Sequence, residues 1–307
     1  MQNVFLRPIL SFLKSAGFTM VLASIILLTS TILWAEDTKL GPTTPLNKLV
    51  ELALDHNSKN RANSKYLPPE DITFLVKKYY YQIGTQVEQL ATAREVQLHF
   101  QKAIDKSTEI FDSGEGDVSQ ADLTKLKLGL SNTLDNIIGL DHDLQIGKLN
   151  LGRLINQELR DGNDIITTDP IPVDFPYTSF DSYLEAKNLT LQVKKIIGKA
   201  DIASNEIDIK QSTKLTEENR LLLHKAYLGV ESSKAKVVLG KKNRKITRAL
   251  LVSEVANYDF GIGDSQELFE ALIIYTRVFS GYLDSIYTLN VAVAELEKLT
   301  DAIHAGN

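Results

Sequence analysis

Residues 258–299 read YDFGIGDSQELFEALIIYTRVFSGYLDSIYTLNVAVAELEKL, and this stretch decides the fold. Beyond a Gly-x-Gly-Asp turn at Gly261, Gly263 and Asp264, apolar residues recur at Leu268, Leu272, Tyr275, Phe279, Tyr282, Ile286, Leu289, Val293 and Leu296, and the pattern continues through Thr300 to Ile303. Alternating steps of four and three hold one seam on one side of a helix, so the spacing predicts a long supercoiled helix. A second stripe, from Ala271 and Ile274 through Val278, Gly281, Ser285 and Thr288 to Ala292, runs beside the first. In a helical tube every helix touches neighbours on both sides, and small residues on the second stripe allow close approach. A globular bundle would use the same two stripes.

The turn and the seam occur twice. Gly114, Gly116 and Asp117 match Gly261, Gly263 and Asp264 at a spacing of 147, and Ser119 and Gln120 match Ser265 and Gln266 at 146. At a spacing of 145, Leu130, Ile137, Leu144 and Leu151 fall on Tyr275, Tyr282, Leu289 and Leu296. Such self-similarity marks an internal duplication. In the first half, Thr44 and Pro45 open a short helix to about His56, and Asn57 to Lys65 reads as a loop. Pro68, Pro69, Glu70 and Asp71 then open a helix to about Asp112, about 60 Å long at 1.5 Å per residue. Its return partner, capped by Ser119 or Asp117, runs through Leu123, Leu126 and Leu154. A joint rich in Asp, Thr and Pro spans Asp161 to Pro176. In the second half, Thr178 or Ser179 starts a helix over Phe180 to Gln211, a polar gap covers Ser212 to Glu218, and another long helix ends at Phe260. The expected architecture is all-α: two tandem repeats of long antiparallel coiled-coil helical hairpins, residues 36–176 and 177–307, behind an export segment over residues 1–35.

Composition agrees with long unbroken helices. The 307-residue chain is 43% hydrophobic with only 8 Pro and 17 Gly. Net charge is −5, and Lys and Arg are dispersed except at Lys241, Lys242, Arg244, Lys245 and Arg248. That run reads as a solvated helix face or an anionic-ligand site, and nucleic acid, which needs a concentrated basic face, is not an expected partner. Near the N-terminus, Arg7 and Lys14 precede an apolar stretch from Ala16 to Trp34, followed by Ala35 and a polar segment. This is a signal peptide cleaved after Ala35 or a retained anchor, and either one carries the rest of the chain out of the cytoplasm. Cysteine is absent. Neither a disulfide nor a lipidated cysteine is therefore available.

The duplicated layout, with a short helix near Thr44, a long hairpin, a Pro-rich joint, a second start near Ser179 and the tip Gly261 to Asp264, resembles the TolC family of outer-membrane channel proteins. The resemblance is best over Tyr258 to Leu299, with Leu268, Ala271 and Leu272 beyond the tip, then Tyr287, Asn290, Ala292, Ala294, Glu295 and Leu296. It implies a homotrimeric helical tube that reaches an inner-membrane transporter through a periplasmic adaptor or an MCE-type ring. One departure is large. Where that family carries membrane-spanning strands, this sequence offers only Asn57 to Lys65 and Ser212 to Glu218, and a strand pair needs twice about 9 to 11 residues plus a turn. The expectation is a tube without the barrel, in the periplasm and associated with the outer membrane.

Candidate site residues lie at the two tips: Gly114, Gly116, Asp117 and Gln120 at one, and Gly261, Gly263, Asp264 and Gln266 at the other. Both tips are acidic, with Glu109, Asp112, Glu115, Asp117 and Asp122 at the first and Asp259, Asp264, Glu267 and Glu270 at the second. They read as helix caps with solvated neighbours, or as docking and gating elements that take a partner or cations. Chemistry is not indicated. The five histidines are scattered, Asp141, His142 and Asp143 point around a helix without converging, and nucleophile and phosphate-loop motifs are missing. No cofactor or metal is expected, and the chain reads as a non-enzyme. Its expected function is a conduit component of an export or lipid-transport system; the alternative is a coiled-coil adaptor bridging envelope partners without a lumen.

Overall fold

A computed structural model describes residues 45–59, 66–114, 118–159, 170–191 and 213–306. Residues 1–44 lie outside the described residues, so the export segment and the Thr44 cap receive no structural account. Among the described residues no helix is long and apolar enough to cross a membrane.

Among the described residues, six helices and one small strand pair form the unit that begins at Leu40. Helix α1 spans Leu46–Lys59, α2 Pro69–Ser113, α3 Gln120–Ile155 and α4 Phe180–Ala186; strands β1, Leu189–Leu191, and β2, Thr213–Leu215, follow, and α5, Glu217–Asp259, and α6, Ser265–Ala305, complete the chain. The 45 residues of α2 span about 67 Å at 1.5 Å per residue. Antiparallel α2 and α3 form one hairpin and α5 and α6 the other, and α2 packs against α6. The long helices thus stand in the order α3, α2, α6, α5, with α1 against α2 and α3 at the end away from the tips.

The seam read from the sequence is the core. Leu268, Leu272, Tyr275, Phe279, Tyr282, Ile286, Leu289, Val293, Leu296 and Thr300 are all buried, and Ile303 packs at its edge. Each large aliphatic side chain buried there stabilises the fold by about 1.5–3 kcal/mol relative to exposure. The matching residues of α3, Leu144 and Leu151, are buried against Val76, Ile83 and Leu90 of α2. The second stripe of α6 fares differently. Ile274, Gly281 and Thr288 are exposed. The stripe borders a groove of about 400 Å³ between α5 and α6, because α2 docks on another side of α6, where Gln89 donates to Asp284 at 2.8 Å and Lys77 pairs with Glu297 at 2.6 Å.

The start of the second half departs from the expected helix over Phe180 to Gln211. Helix α4 stops at Ala186, after which Asn188 takes a left-handed φ of 54°, a conformation that asparagine tolerates better than most residues. The alternating Leu-Thr-Leu of β1 then pairs in parallel with β2, Leu189 opposite Thr213 and Leu191 opposite Leu215. Both strands are far shorter than a membrane-spanning one. The supposed polar gap at Ser212 to Glu218 accordingly holds β2 and the first turn of α5, whose N-cap is Thr216, its side chain accepting from the Asn219 amide at 3.2 Å. Residues 192–212, which include the rest of the expected helix to Gln211, lie outside the described ones. The argument from length against a strand pair therefore applies only to the first half, where residues 60–68 separate α1 from α2.

Two buried asparagines fasten the connecting segments. Asn57, read as loop, sits in α1, where its side chain donates to the Leu67 carbonyl at 2.8 Å and accepts from the Leu67 amide at 3.3 Å. Asn290 of α6 accepts from the Val173 amide at 2.8 Å and donates to the Ile171 carbonyl at 2.9 Å. The extended segment 170–177 is thereby strapped across the second hairpin. Lys234 donates to the Phe175 carbonyl at 3.1 Å, and the Phe175 ring packs on Tyr177, Tyr183 and Tyr227. Tyr183 closes this cluster with a 2.6 Å bond to Thr300, and burial pushes its phenol up to about 12.

Candidate functional site

At the first tip, α2 ends at Gly114, whose φ of 68° is the left-handed cap that glycine adopts without strain. Helix α3 opens on Ser119, whose hydroxyl accepts from the Asp122 amide at 3.2 Å while the Asp122 carboxylate accepts from the Ser119 amide at 3.1 Å. This reciprocal box settles the cap in favour of Ser119. The Ser119 hydrogen bonds hold the Asp122 carboxyl below the usual carboxylate range. Gln120 is the first, exposed residue of α3, whereas Gly116 and Asp117, with Glu115, lie outside the described residues.

The second tip is described throughout. Gly261 has a φ of 73°, and the amides of Ile262 and Gly263 return to the Asn257 carbonyl at 2.9 and 3.0 Å. A Cβ on Gly263 would stand 2.9 Å from the Asn257 side chain, so this position requires glycine for close approach. Asp264 caps α6, accepting from the Glu267 amide at 2.8 Å. Gln266 accepts from Lys125 of the first hairpin at 3.2 Å and donates to Glu270 at 3.2 Å. The two tips are thus joined, and part of the acidity predicted there is committed to caps.

Lys106 of α2 was not singled out by the sequence, yet it donates to the carbonyls of Tyr258 and Asp259 at 2.5 and 3.0 Å. These are terminal carbonyls of α5, a helix with no basic residue in its own last turn, so a cation from the other hairpin meets the negative end of its dipole. Ser107 bonds the Tyr258 hydroxyl at 2.7 Å. Further along, Arg248 of α5 pairs with Glu95 of α2 at 2.7 Å. A cleft of about 650 Å³ opens between the tips, bordered by Lys106, Ile110, Val118 and the turn from Gly261 to Asp264.

The second tip also carries an apolar point that sequence reasoning missed. Phe260 and Ile262 flank Gly261 at 80% and 81% exposure. The available signal was two large apolar residues beside a turn glycine and off the heptad seam. Among the described residues no cluster of three or more His, Asp or Glu could hold a metal. The tip geometry offers hydrogen-bonding edges, carboxylates and two exposed apolar side chains, which suit recognition by another protein surface.

No protein-family model matches the chain. No curated protein matches it either. Among solved structures, the outer-membrane channel OprN is similar over 83% of this chain and 70% of its own, at 11% identity and a TM-score of 0.52. CusC, a protein of transmembrane channel formation, is similar over 83% of this chain and 74% of its own, at 12% identity and a TM-score of 0.54. At such identity the likeness is one of backbone arrangement: the chain has the fold of the helical part of TolC-like outer-membrane channels.

Proposed function

We propose that this protein is a conduit component of the cell envelope, a homotrimeric helical tube in the periplasm that extends an export, efflux or lipid-transport path. The observation that supports it best is the open row of four long helices, in which α3 and α5 stand at the ends with large apolar side chains facing outward. A finished monomeric bundle would bury those rows, since exposed apolar surface of that extent marks an interaction site. The likeness in fold to channel proteins supports the same reading and gives no support to catalysis.

In this reading each half, residues 36–176 and 177–307, contributes one hairpin behind an export segment at residues 1–35. Three chains then present six tips. Gly114, Gly116, Asp117 and Gln120 are the docking residues of the first tip, and Gly261, Gly263, Asp264 and Gln266, beside the exposed Phe260 and Ile262, those of the second. A periplasmic adaptor or an MCE-type ring serving an inner-membrane transporter docks there, with the opposite end toward the outer membrane.

The test is native mass measurement of the purified protein, followed by capture of a purified periplasmic adaptor or MCE-type ring protein. A trimer is expected, and replacing Phe260 and Ile262 by serine is expected to lower capture at least tenfold while the trimer stays intact. A monomer or dimer would refute the tube and favour the lumen-less adaptor. A trimer whose capture ignores the tip would refute the docking role alone.

A further inference from the structure

The outward faces of the two edge helices carry a matched pattern. On α3, Leu128, Asp135, Ile138, His142, Ile146 and Leu149 are exposed and recur in steps of three, four and seven on the side away from α2. On α5, Leu221, Leu228, Leu239, Lys242, Ile246 and Leu250 are exposed on the side away from α6 in steps of three, four and seven, except between Leu228 and Leu239, where the exposed small residues Ser232 and Ala235 fill the register. Each edge is thus a second heptad seam, apolar but for charged residues near its middle.

Those charges are opposite in sign. From Gly129 to Ile146, α3 holds Asp135, Asp141 and Asp143 and no Lys or Arg, whereas from Ser232 to Ser253 α5 holds seven Lys and Arg, among them Lys241, Lys242 and Lys245, and no Asp or Glu. Arg244 lies over the rings of Phe279 and Tyr282, and Arg248 is paired with Glu95. The three lysines and the three aspartates are in no ion pair within the described residues.

The two patches also stand at the same height. A Cβ on Gly147 of α3 would meet Ile83 and Gln86 of α2, Gln89 of α2 bonds Asp284 of α6, and a Cβ on Gly240 of α5 would meet Tyr282 and Ser285 of α6. Counting along these neighbours puts Asp141 about level with Lys241 and Ile138 close to the level of Ile246. Since α3 leads away from its tip and α5 toward its own, the two edges meet antiparallel when copies stand side by side with tips aligned.

We propose that the α3 edge of one copy docks on the α5 edge of the next, with Asp135 on the seam and Asp141 and Asp143 flanking it, against Lys242 on the opposite seam and Lys241 and Lys245 beside it. The proposal rests on the oligomeric reading above and names the surfaces that close it. Because the edges differ, the contact is heterologous, and repetition with rotation closes a ring. The apolar rows supply the burial, while the charges set register and reject an α3-to-α3 or α5-to-α5 pairing by like-charge repulsion.

The absence of cysteine from the sequence gives a clean background for the test. The full chain carrying Ile138→Cys and Ile246→Cys is expressed in the cell envelope, oxidised and read for cross-linked dimer and trimer; each single-cysteine chain controls for chance encounters. Reversal of Asp135, Asp141 and Asp143 to lysine, or of Lys241, Lys242 and Lys245 to glutamate, is expected to lower the cross-link at least tenfold, and combining the two sets to restore it. Both sets are on exposed faces, and helical content by circular dichroism confirms folding. A native trimer that does not cross-link, or a cross-link that ignores charge reversal, overturns the proposed edges and leaves the trimer standing. A monomeric parent chain overturns both.

Discussion

Replacing Asn290 by alanine removes the clamp that holds segment 170–177 on α6. The side chain is 3% exposed and makes two hydrogen bonds, 2.8 Å from the Val173 amide and 2.9 Å to the Ile171 carbonyl. Each bond contributes about 0.5–1.5 kcal/mol net, so about 1–3 kcal/mol of stability is lost, less where the exposed Ile171 end recovers water. The effect should be read by urea unfolding at fixed protomer concentration, because assembly adds to apparent stability. The midpoint is expected to fall with little change in slope, and cleavage within 170–177 by a low dose of protease to accelerate. Asn290→Asp serves as a second variant: it keeps an acceptor for Val173 but loses the donor to Ile171 and buries a charge, so it should do no better than alanine. An alanine variant within about 0.5 kcal/mol of the parent, with unchanged proteolysis, would mean that the Phe175 and Tyr183 cluster alone holds the strap.

Two further outcomes follow from local geometry. Gly129→Ala places a Cβ 2.6 Å from the fully buried Phe100 ring and 3.0 Å from Phe269, so overpacking of about 1–3 kcal/mol should outweigh the better helix propensity of alanine; a thermal midpoint at or above that of the parent would contradict this. At the first tip, Ser119 depresses the Asp122 carboxyl, a contribution present above the ordinary carboxylate pKa and lost as acid lowers the pH through the depressed value. Carboxyl NMR titration should show Asp122 below its usual range in the parent and back within it in Ser119→Ala, and equal values in both would dismiss the box as the cause.

The long helices were legible because each repeats one rule many times. Every seam residue of α6 from Leu268 to Thr300 is buried as its spacing required, and the glycine turn at Gly261 and Gly263 with the Asp264 cap stands where the residues placed it. What escaped depends on contacts distant in sequence. Asn57 and Asn290 are unremarkable polar residues until Leu67, Ile171 and Val173 come beside them. The helix drawn over Phe180 to Gln211 failed at Asn188, where one left-handed residue outweighs an otherwise permissive composition, and where the short β1 finds its partner beyond Ser212. Exposure of Ile274, Gly281 and Thr288 on the second stripe of α6 was equally hidden, since periodicity tells which residues share a face and not which face a neighbour takes.

The bond from Lys106 to the end of α5 makes the two hairpins mutually dependent. Without α2, the carbonyls of Tyr258 and Asp259 lose their cation, and the last turn of α5 frays into water. A severed half is therefore not a smaller version of the whole, and the two repeats are expected to melt together in one transition.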